Sequence, residues 1–263
     1  MSRFLLAITP FAGHAFPMLG LAKGLLRRGY DVVVYSGRKY EATVLAAGAR
    51  FLPSYAAQDF DDTDPEATFP AMARASGPSA MLTDFRELFF GTAPGQAQDM
   101  LDAHEKMPFD AVVAEGTCFG AELFHELRGV SYATVSLSLL GLSSKHPPPG
   151  TPFKPGRTVV GRTRDAVVRA LWEHTLAAQF RSLHNRARTA VGLEPTTRRG
   201  LHGAWSPQLV IAQGVPAFQC SNRRGRIYPP TCTSWVISRQ VHGVLRFIRR
   251  GRRPSIRVAP SFT

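Results

Sequence analysis

An open, doubly wound α/β fold with a parallel sheet is the fold class that the sequence predicts, and three observations predict it. Short continuous apolar runs such as "FLLAIT" and "DVVVYSG" have the character of strands buried on both faces. Segments with apolar residues at helical spacing follow them, several closed by glycine. The alternation repeats along the chain, which implies right-handed crossovers with helices on both faces of one sheet.

The elements follow in order. "FLLAIT" ends at Pro10 as the first strand. "PMLGLAKGLLRRG" reads as a helix starting at Pro17, with Leu19, Ala22, Leu25 and Leu26 on one face and Gly29 closing it. "YDVVVYSG" is a second buried strand, "KYEATVLAAG" a second helix and "ARFLPSY" a short third strand. Residues 56–80 are acidic and rich in Pro and Gly, a long loop with a helical piece. "MLTDFRELFFGTAPGQAQDMLDAHEK" is helical with an aromatic interruption. "PFDAVVAEG", "CFGAELFHELRG" and "VSYATVSLS" give strand, helix and strand, followed by the Pro-rich loop "SSKHPPPGTPFKPG". "RTRDAVVRALWEHTLAAQFRSLHNRARTAVG" is one long helix, and "PQLVIAQG" a final strand.

Composition bounds the function. The chain has 263 residues, 44% of them hydrophobic, enough for a sizeable core. Its three cysteines, Cys118, Cys220 and Cys232, are widely spaced and form no C-x-x-C. That argues against a disulfide framework or a zinc site and fits a cytoplasmic protein. No apolar run reaches the length of a membrane span, and the N-terminal run is too short for a signal peptide. The net charge of +13 is unevenly placed. From Cys220 to Thr263 there are ten Arg and no Lys, Asp or Glu; subtracting these leaves 22 basic against 19 acidic groups in residues 1–219. The body is near neutral and the tail alone makes the chain basic. The division expected is thus a domain at 1–219 and an Arg-rich tail at 220–263.

In a doubly wound sheet the ligand lies beyond the carboxyl ends of the strands. The first such end, "TPFAGHAFP", lacks G-x-G-x-x-G, which disfavours a dinucleotide-dependent oxidoreductase. His14 stands where a third glycine would be. It either hydrogen-bonds its own turn or accepts a proton from a bound hydroxyl near neutral pH. Glu115 ends the strand "DAVVAEG". It is either a solvated charge at a helix start or the carboxylate that orients His14.

The stretch from Gly13 to Val32, "G-H-x-x-P-x-L-x-L-A-x-x-L-x-x-R-G-Y-x-V", resembles the N-terminal signature of family 1 glycosyltransferases, and more narrowly the macrolide and antibiotic glycosyltransferases with the GT-B fold. The likeness continues through "FDAVVAEGTCFGAELFHELRGVSYATVSLS" and reaches "SPQLVIAQGVPAFQC". It covers about Ser2 to Phe218. It implies the Rossmann-like N-terminal domain of a GT-B fold, which binds the acceptor. It implies an inverting, metal-independent transfer of a hexosyl group from a nucleotide sugar (UDP- or dTDP-linked, a co-substrate in the complete family fold, with no covalently bound cofactor) to a hydroxyl of an apolar small molecule. His14 matches the family's base. Glu115 falls where the family usually has aspartate, one methylene shorter. Phe11, Gly13, Phe16, Phe85, Phe89, Phe90 and Cys118 are the expected acceptor-binding residues, with simple core packing the competing reading of the aromatic rings.

The family's donor-binding half, with a fingerprint close to "H-x-G-x-x-S-x-x-E", has no counterpart after Phe218, so the second domain is expected to be missing and the chain inactive alone. The tail has the Arg, Pro, Ser and Gly content of GC-rich coding sequence read out of frame. Shifted by two bases, the codons of Trp235 and Val236 give glycine without choice, and those of Cys232 and Thr233 give only histidine or tyrosine. With GC-biased third bases the shifted frame can read "H-V-H-F-V-G", similar to the family's linker strand. Two other readings remain: a non-catalytic small-molecule-binding or auxiliary module, and nucleic-acid binding through the basic tail.

Overall fold

The computed structural model describes residues 2–137, 156–198, 204–213 and 232–235. The chain runs β1 (Arg3–Ala7), α1 (Ala12–Leu26), β2 (Asp31–Ser36), a 3-10 turn (Arg38–Tyr40), α2 (Glu41–Ala46) and β3 (Arg50–Pro53). Two single-turn helices, α3 (Pro65–Thr68) and α4 (Pro70–Ala73), punctuate the acidic loop. Then come α5 (Pro78–Asp84), a π-helical segment (Phe85–Phe90), α6 (Ala93–Lys106), β4 (Ala111–Glu115), α7 (Gly120–Arg128) and β5 (Ser131–Ser136). After α8 (Val159–His174) and α9 (Leu176–Ala190) the sheet is completed by β6 (Val210–Gln213) and β7 (Cys232–Trp235).

All strand pairs are parallel, in the order β3-β2-β1-β4-β5-β6-β7. The order reverses between β1 and β4, which pair with Leu6 opposite Val113 and Ala7 opposite Ala114. Strand side chains alternate between the two faces. Phe4, Leu6, Val32, Val34 and Val113 enter a core with Met18, Leu25 and Val44 of α1 and α2. Leu5, Ala7, Val33, Tyr35 and Val112 enter a second core with Met100 of α6 and Phe124 of α7. Both faces are covered, which is why the strands read as unbroken apolar runs. A third cluster joins Phe90, Ala97, Phe119 and Leu123 to Phe180 and Ala187 of α9.

Several local expectations change. Helix α1 begins at Ala12, not Pro17, so His14 is the third helical residue. Pro17 then lies inside the helix, where it lacks the N–H that would bond the carbonyl of Gly13. Asp62 accepts the N–H of Ala12 at 2.8 Å and satisfies one of the helix's orphan donors. The single long helix expected after the Pro-rich loop is two helices, broken at Thr175 (φ −108°, ψ −87°), whose N–H and hydroxyl both turn back to the carbonyl of Leu171. The aromatic interruption is the π-helical segment. The Pro-rich loop and nearly all of the tail lie outside the described residues. The exception is β7, which pairs with β6, Ile211 opposite Thr233 and Gln213 opposite Trp235, in a stretch where the sequence suggests no strand.

A methyl added at Gly120 would collide with Cβ of Gln96 and lie 2.8 Å from the carbonyl oxygen of Ala93, so α6 and α7 approach through this glycine. At Gly13 an added Cβ meets nothing within 4 Å. Gly120→Ala is therefore expected to destabilise by about 1–3 kcal/mol through overpacking. Gly13→Ala should be neutral or stabilising by up to about 1 kcal/mol. Chemical denaturation of the two variants measures this, and equal stabilities would contradict the packing argument.

Candidate functional site

The reversal of strand order puts the carboxyl ends of β1 and β4 side by side. The chain leaving β1 passes Thr9 and Pro10 into α1, and the chain leaving β4 turns through Gly116 and Thr117 towards α7. His14 Nδ1 lies 3.2 Å from Oε2 of Glu115, although a hundred residues separate them in sequence. The indole N–H of Trp205 bonds the carbonyl of Gly116 at 2.8 Å and holds the second turn.

Glu115 is 2% exposed. Its Oε1 accepts the hydroxyl of Thr117 at 2.6 Å and the N–H of Thr9 at 3.3 Å, and its Oε2 accepts the N–H of Thr117 at 3.0 Å. Burial alone would raise its pKa. The hydrogen bond and charge of His14, with the Thr117 and Thr9 bonds, outweigh that and hold the carboxyl below its ordinary value. For His14, burial pulls the pKa down, but the bond to Glu115 and its charge leave the imidazole above the ordinary value. The N-terminus of α1 opposes that protonation, so Glu115 is what makes a cation tolerable there. Nδ1 is turned to Glu115 and Thr117, and a neutral ring that carries its proton on Nδ1 keeps its lone pair on Nε2. Among the described residues Nε2 has no hydrogen-bond partner.

The aromatic residues separate into groups. Phe11 packs on His14 (centroids 5.4 Å), Phe60 (5.3 Å) and Phe89 (6.0 Å), and Phe89 packs on Phe85 (5.0 Å). Phe11, Phe85 and Phe89 are half-buried and form one wall running away from the histidine. Phe16 is apart from it, 60% exposed and edge-on to Tyr40. Phe90 is buried and stacked on Phe119 at 4.3 Å within the third core cluster. Cys118 is also buried, its thiol 3.5 Å from Oε1 of Gln96. Burial, and then the charge of Glu115, push that thiol well above its usual range. Gly13 is exposed beside His14. Thus the structure groups His14, Glu115, Phe11, Phe85 and Phe89, buries Phe90 and Cys118 behind them in the core, with Phe90 6.3 Å from Phe85, and sets Phe16 apart.

Sequence reasoning missed Thr9, Thr117, Phe60 and Asp62. Thr117, two residues past the strand-end carboxylate, carried a readable signal, because Ser and Thr at such turns bond neighbouring acceptors. Phe60 and Asp62 sit in the long loop, where periodicity is silent. Among the described residues no group of three or more His, Cys, Asp or Glu could hold a metal ion, and no helix is long and apolar enough to cross a membrane.

No family model matches the chain. It is 33% identical over 221 residues to the 4'-demethylrebeccamycin synthase of Lentzea aerocolonigenes, covering 83% of this chain and 52% of that protein. Among solved structures it is similar to the calicheamicin glycosyltransferase CalG4, with a TM-score of 0.59 at 15% identity over 90% of this chain and 53% of that one. It is also similar to the Streptomyces sp. SF2575 glycosyltransferase SsfS6 complexed with thymidine diphosphate, with a TM-score of 0.51 at 14% identity over 89% of this chain and 52% of that one. The chain therefore spans about half the length of these proteins.

The pair has a pH signature. The raised pKa of His14 contributes stability that is complete below the ordinary imidazole value of 6.5 and is lost as pH rises through the folded value. The lowered pKa of Glu115 contributes stability that is complete above the ordinary 4.5 and is lost as pH falls through the folded value. The stability gap between the native chain and Glu115→Gln should be widest between pH 4.5 and 6.5 and narrower on either side. Denaturation at pH 5.5 and pH 9 checks it; a gap that does not change with pH would contradict the pairing.

Proposed function

From the homology of this chain to family 1 glycosyltransferases of the GT-B fold over about half their length, we propose that it is the acceptor-binding half of a hexosyltransferase. In this reading His14 is the general base and Glu115 the carboxylate that orients it. The acceptor is an apolar small molecule bearing a hydroxyl, laid along the wall of Phe11, Phe85 and Phe89. Nε2 takes the hydroxyl proton while the acceptor oxygen forms a bond to the anomeric carbon. The bond from that carbon to the diphosphate breaks as the nucleoside diphosphate departs with its electron pair, and the configuration inverts. Glu115 stabilises the imidazolium so formed. No metal is required for these steps.

The single observation that carries the proposal is the 3.2 Å approach of His14 Nδ1 to a buried, hydrogen-bonded Glu115 at the end of the sheet where the strand order reverses. The neutral Nε2 beside an aromatic wall suits a proton acceptor for a bound hydroxyl. The sugar donor is proposed to be UDP- or dTDP-linked, which the thymidine diphosphate complex of the similar SsfS6 supports. The donor is proposed to be held by a second half of the kind present in the longer relatives. Residues 220–263 are proposed to be a frame-shifted, Arg-rich tail that adds β7 to the edge of the sheet and is not a domain of its own, which resequencing the gene across the codons for Phe218 to Trp235 tests directly.

The 263-residue chain is expected to bind an apolar hydroxylated acceptor weakly and to transfer no sugar, because transfer needs the donor held in line with the acceptor oxygen. Calorimetric titration and a donor-consumption assay measure the two. When the chain is joined to a donor-binding half, transfer should appear, and His14→Ala should then lower turnover by roughly a hundredfold or more with little change in acceptor binding. Undiminished turnover in that variant would make the histidine structural. Robust transfer by the chain as it stands would overturn the two-half reading.

A further inference from the structure

Glu115 does not reach His14 as a free carboxylate. Its longer side chain is folded back over its own turn, with Oε1 held at 2.6 Å by the hydroxyl of Thr117 and Oε2 held at 3.0 Å by the N–H of the same residue. Thr117 thus grips both oxygens. Its Oγ1 also lies 3.2 Å from Nδ1 of His14, in hydrogen-bonding geometry with the ring, at the same distance as Oε2 of Glu115. A threonine hydroxyl has one proton and two lone pairs. The 2.6 Å contact is the shortest it makes, so the hydroxyl donates its proton to Oε1 in that bond and a lone pair faces the imidazole.

We infer that Thr117 is a positioning residue, a hydroxyl relay through which the Nδ1–H of His14 is tied to Glu115 and the ring is kept in the Nδ1–H form. Chain order gives the physical reason. A glutamate at the end of β4 has one more rotatable bond than an aspartate and would lose more freedom in holding the ring alone. A hydroxyl two residues later, fixed by its own short bond to that carboxylate, supplies a second acceptor to Nδ1 and removes the slack. Thr9 closes the network from the β1 side, with its N–H on Oε1 and its Oγ1 at 3.3 Å from that of Thr117. The consequence for catalysis, that Nε2 is always the nitrogen offered to the acceptor, rests on the function proposed above; the hydrogen bonding does not.

The test reads the ring directly. In the full ¹⁵N-labelled chain, long-range ¹H–¹⁵N correlations at a pH where the imidazole is neutral report the tautomer of His14, assigned by the signal lost in His14→Ala. The native ring should be mainly Nδ1–H. In Thr117→Val the Nδ1–H form should lose its majority to Nε2–H, and Thr117→Ser should restore it. If the valine variant does not fold, Thr117→Ala makes the same measurement without the branched side chain. A native His14 that is mainly Nε2–H, or a Thr117→Val or Thr117→Ala ring with the native tautomer balance, overturns the inference. Absence of acceptor binding or of sugar transfer would count against the proposed function and would leave the tautomer result standing.

Discussion

The buried carboxylate of Glu115 is the constraint around which the rest of the site is arranged. An ionised carboxylate removed from water costs several kcal/mol unless it is paired and hydrogen-bonded. Here the need is met by the N–H of Thr9 from the β1 side, by the N–H and hydroxyl of Thr117 from its own turn, and by His14 from the first turn of α1. These donors come from two neighbouring strand ends and one helix. Only the parallel pairing of β1 with β4, in register at Ala7 and Ala114, brings them within reach of one side chain.

A second buried carboxylate positions the aromatic side of the crevice. Asp99 of α6 accepts the N–H groups of Tyr55, Ala56 and Ala57, and also the hydroxyl of Tyr35 at 2.8 Å. That latch anchors the start of the acidic loop to the covered face of the sheet. Further along, Asp62 takes the N–H of Ala12 and the hydroxyl of Tyr40, each at 2.8 Å, and so ties the loop to the helix that carries His14. Phe60 lies between these two anchors and packs against Phe11. On the far side, Glu122 of α7 pairs with His184 at 3.0 Å and with Arg188, both on α9. That buried network seats α9, whose Phe180 backs Phe85 at 4.7 Å. Polar groups inside the protein thus set where the phenylalanines stand.

Glu115 was legible in the sequence as the end of a strand and His14 as a residue just past the end of β1, while spacing left their pairing open beside a local role for each. Strand ends are marked by an apolar run that stops, and a doubly wound sheet brings such ends to one edge. Phe11, Phe85 and Phe89 were readable as aromatic residues near the crevice, but the same reasoning named Phe90 and Cys118, which turn into the core. On a segment with π-helical geometry neighbouring aromatics are rotated differently from those on an α-helix, so spacing alone does not tell Phe89 from Phe90. Pro17 misled the start of α1 for a related reason: a proline is at home in a helix's first turn, yet the capping of Ala12 by distant Asp62 lets the helix begin earlier.

What the sequence determined by itself is the alternation of strands and helices, the parallel sheet that follows from it, and the edge of that sheet where a ligand crevice would lie. These are consequences of local apolar periodicity and of the handedness of crossovers, both written in neighbouring residues. What only the tertiary structure decided is which donors satisfy Glu115, which rings face the histidine and which nitrogen of that ring is tied down. Those depend on contacts between residues tens to a hundred positions apart, such as Thr9 with Glu115, Ala12 with Asp62 and Thr117 with His14. A buried charge selects its partners by distance in space, and distance in space is fixed by how the sheet and its two layers of helices pack together.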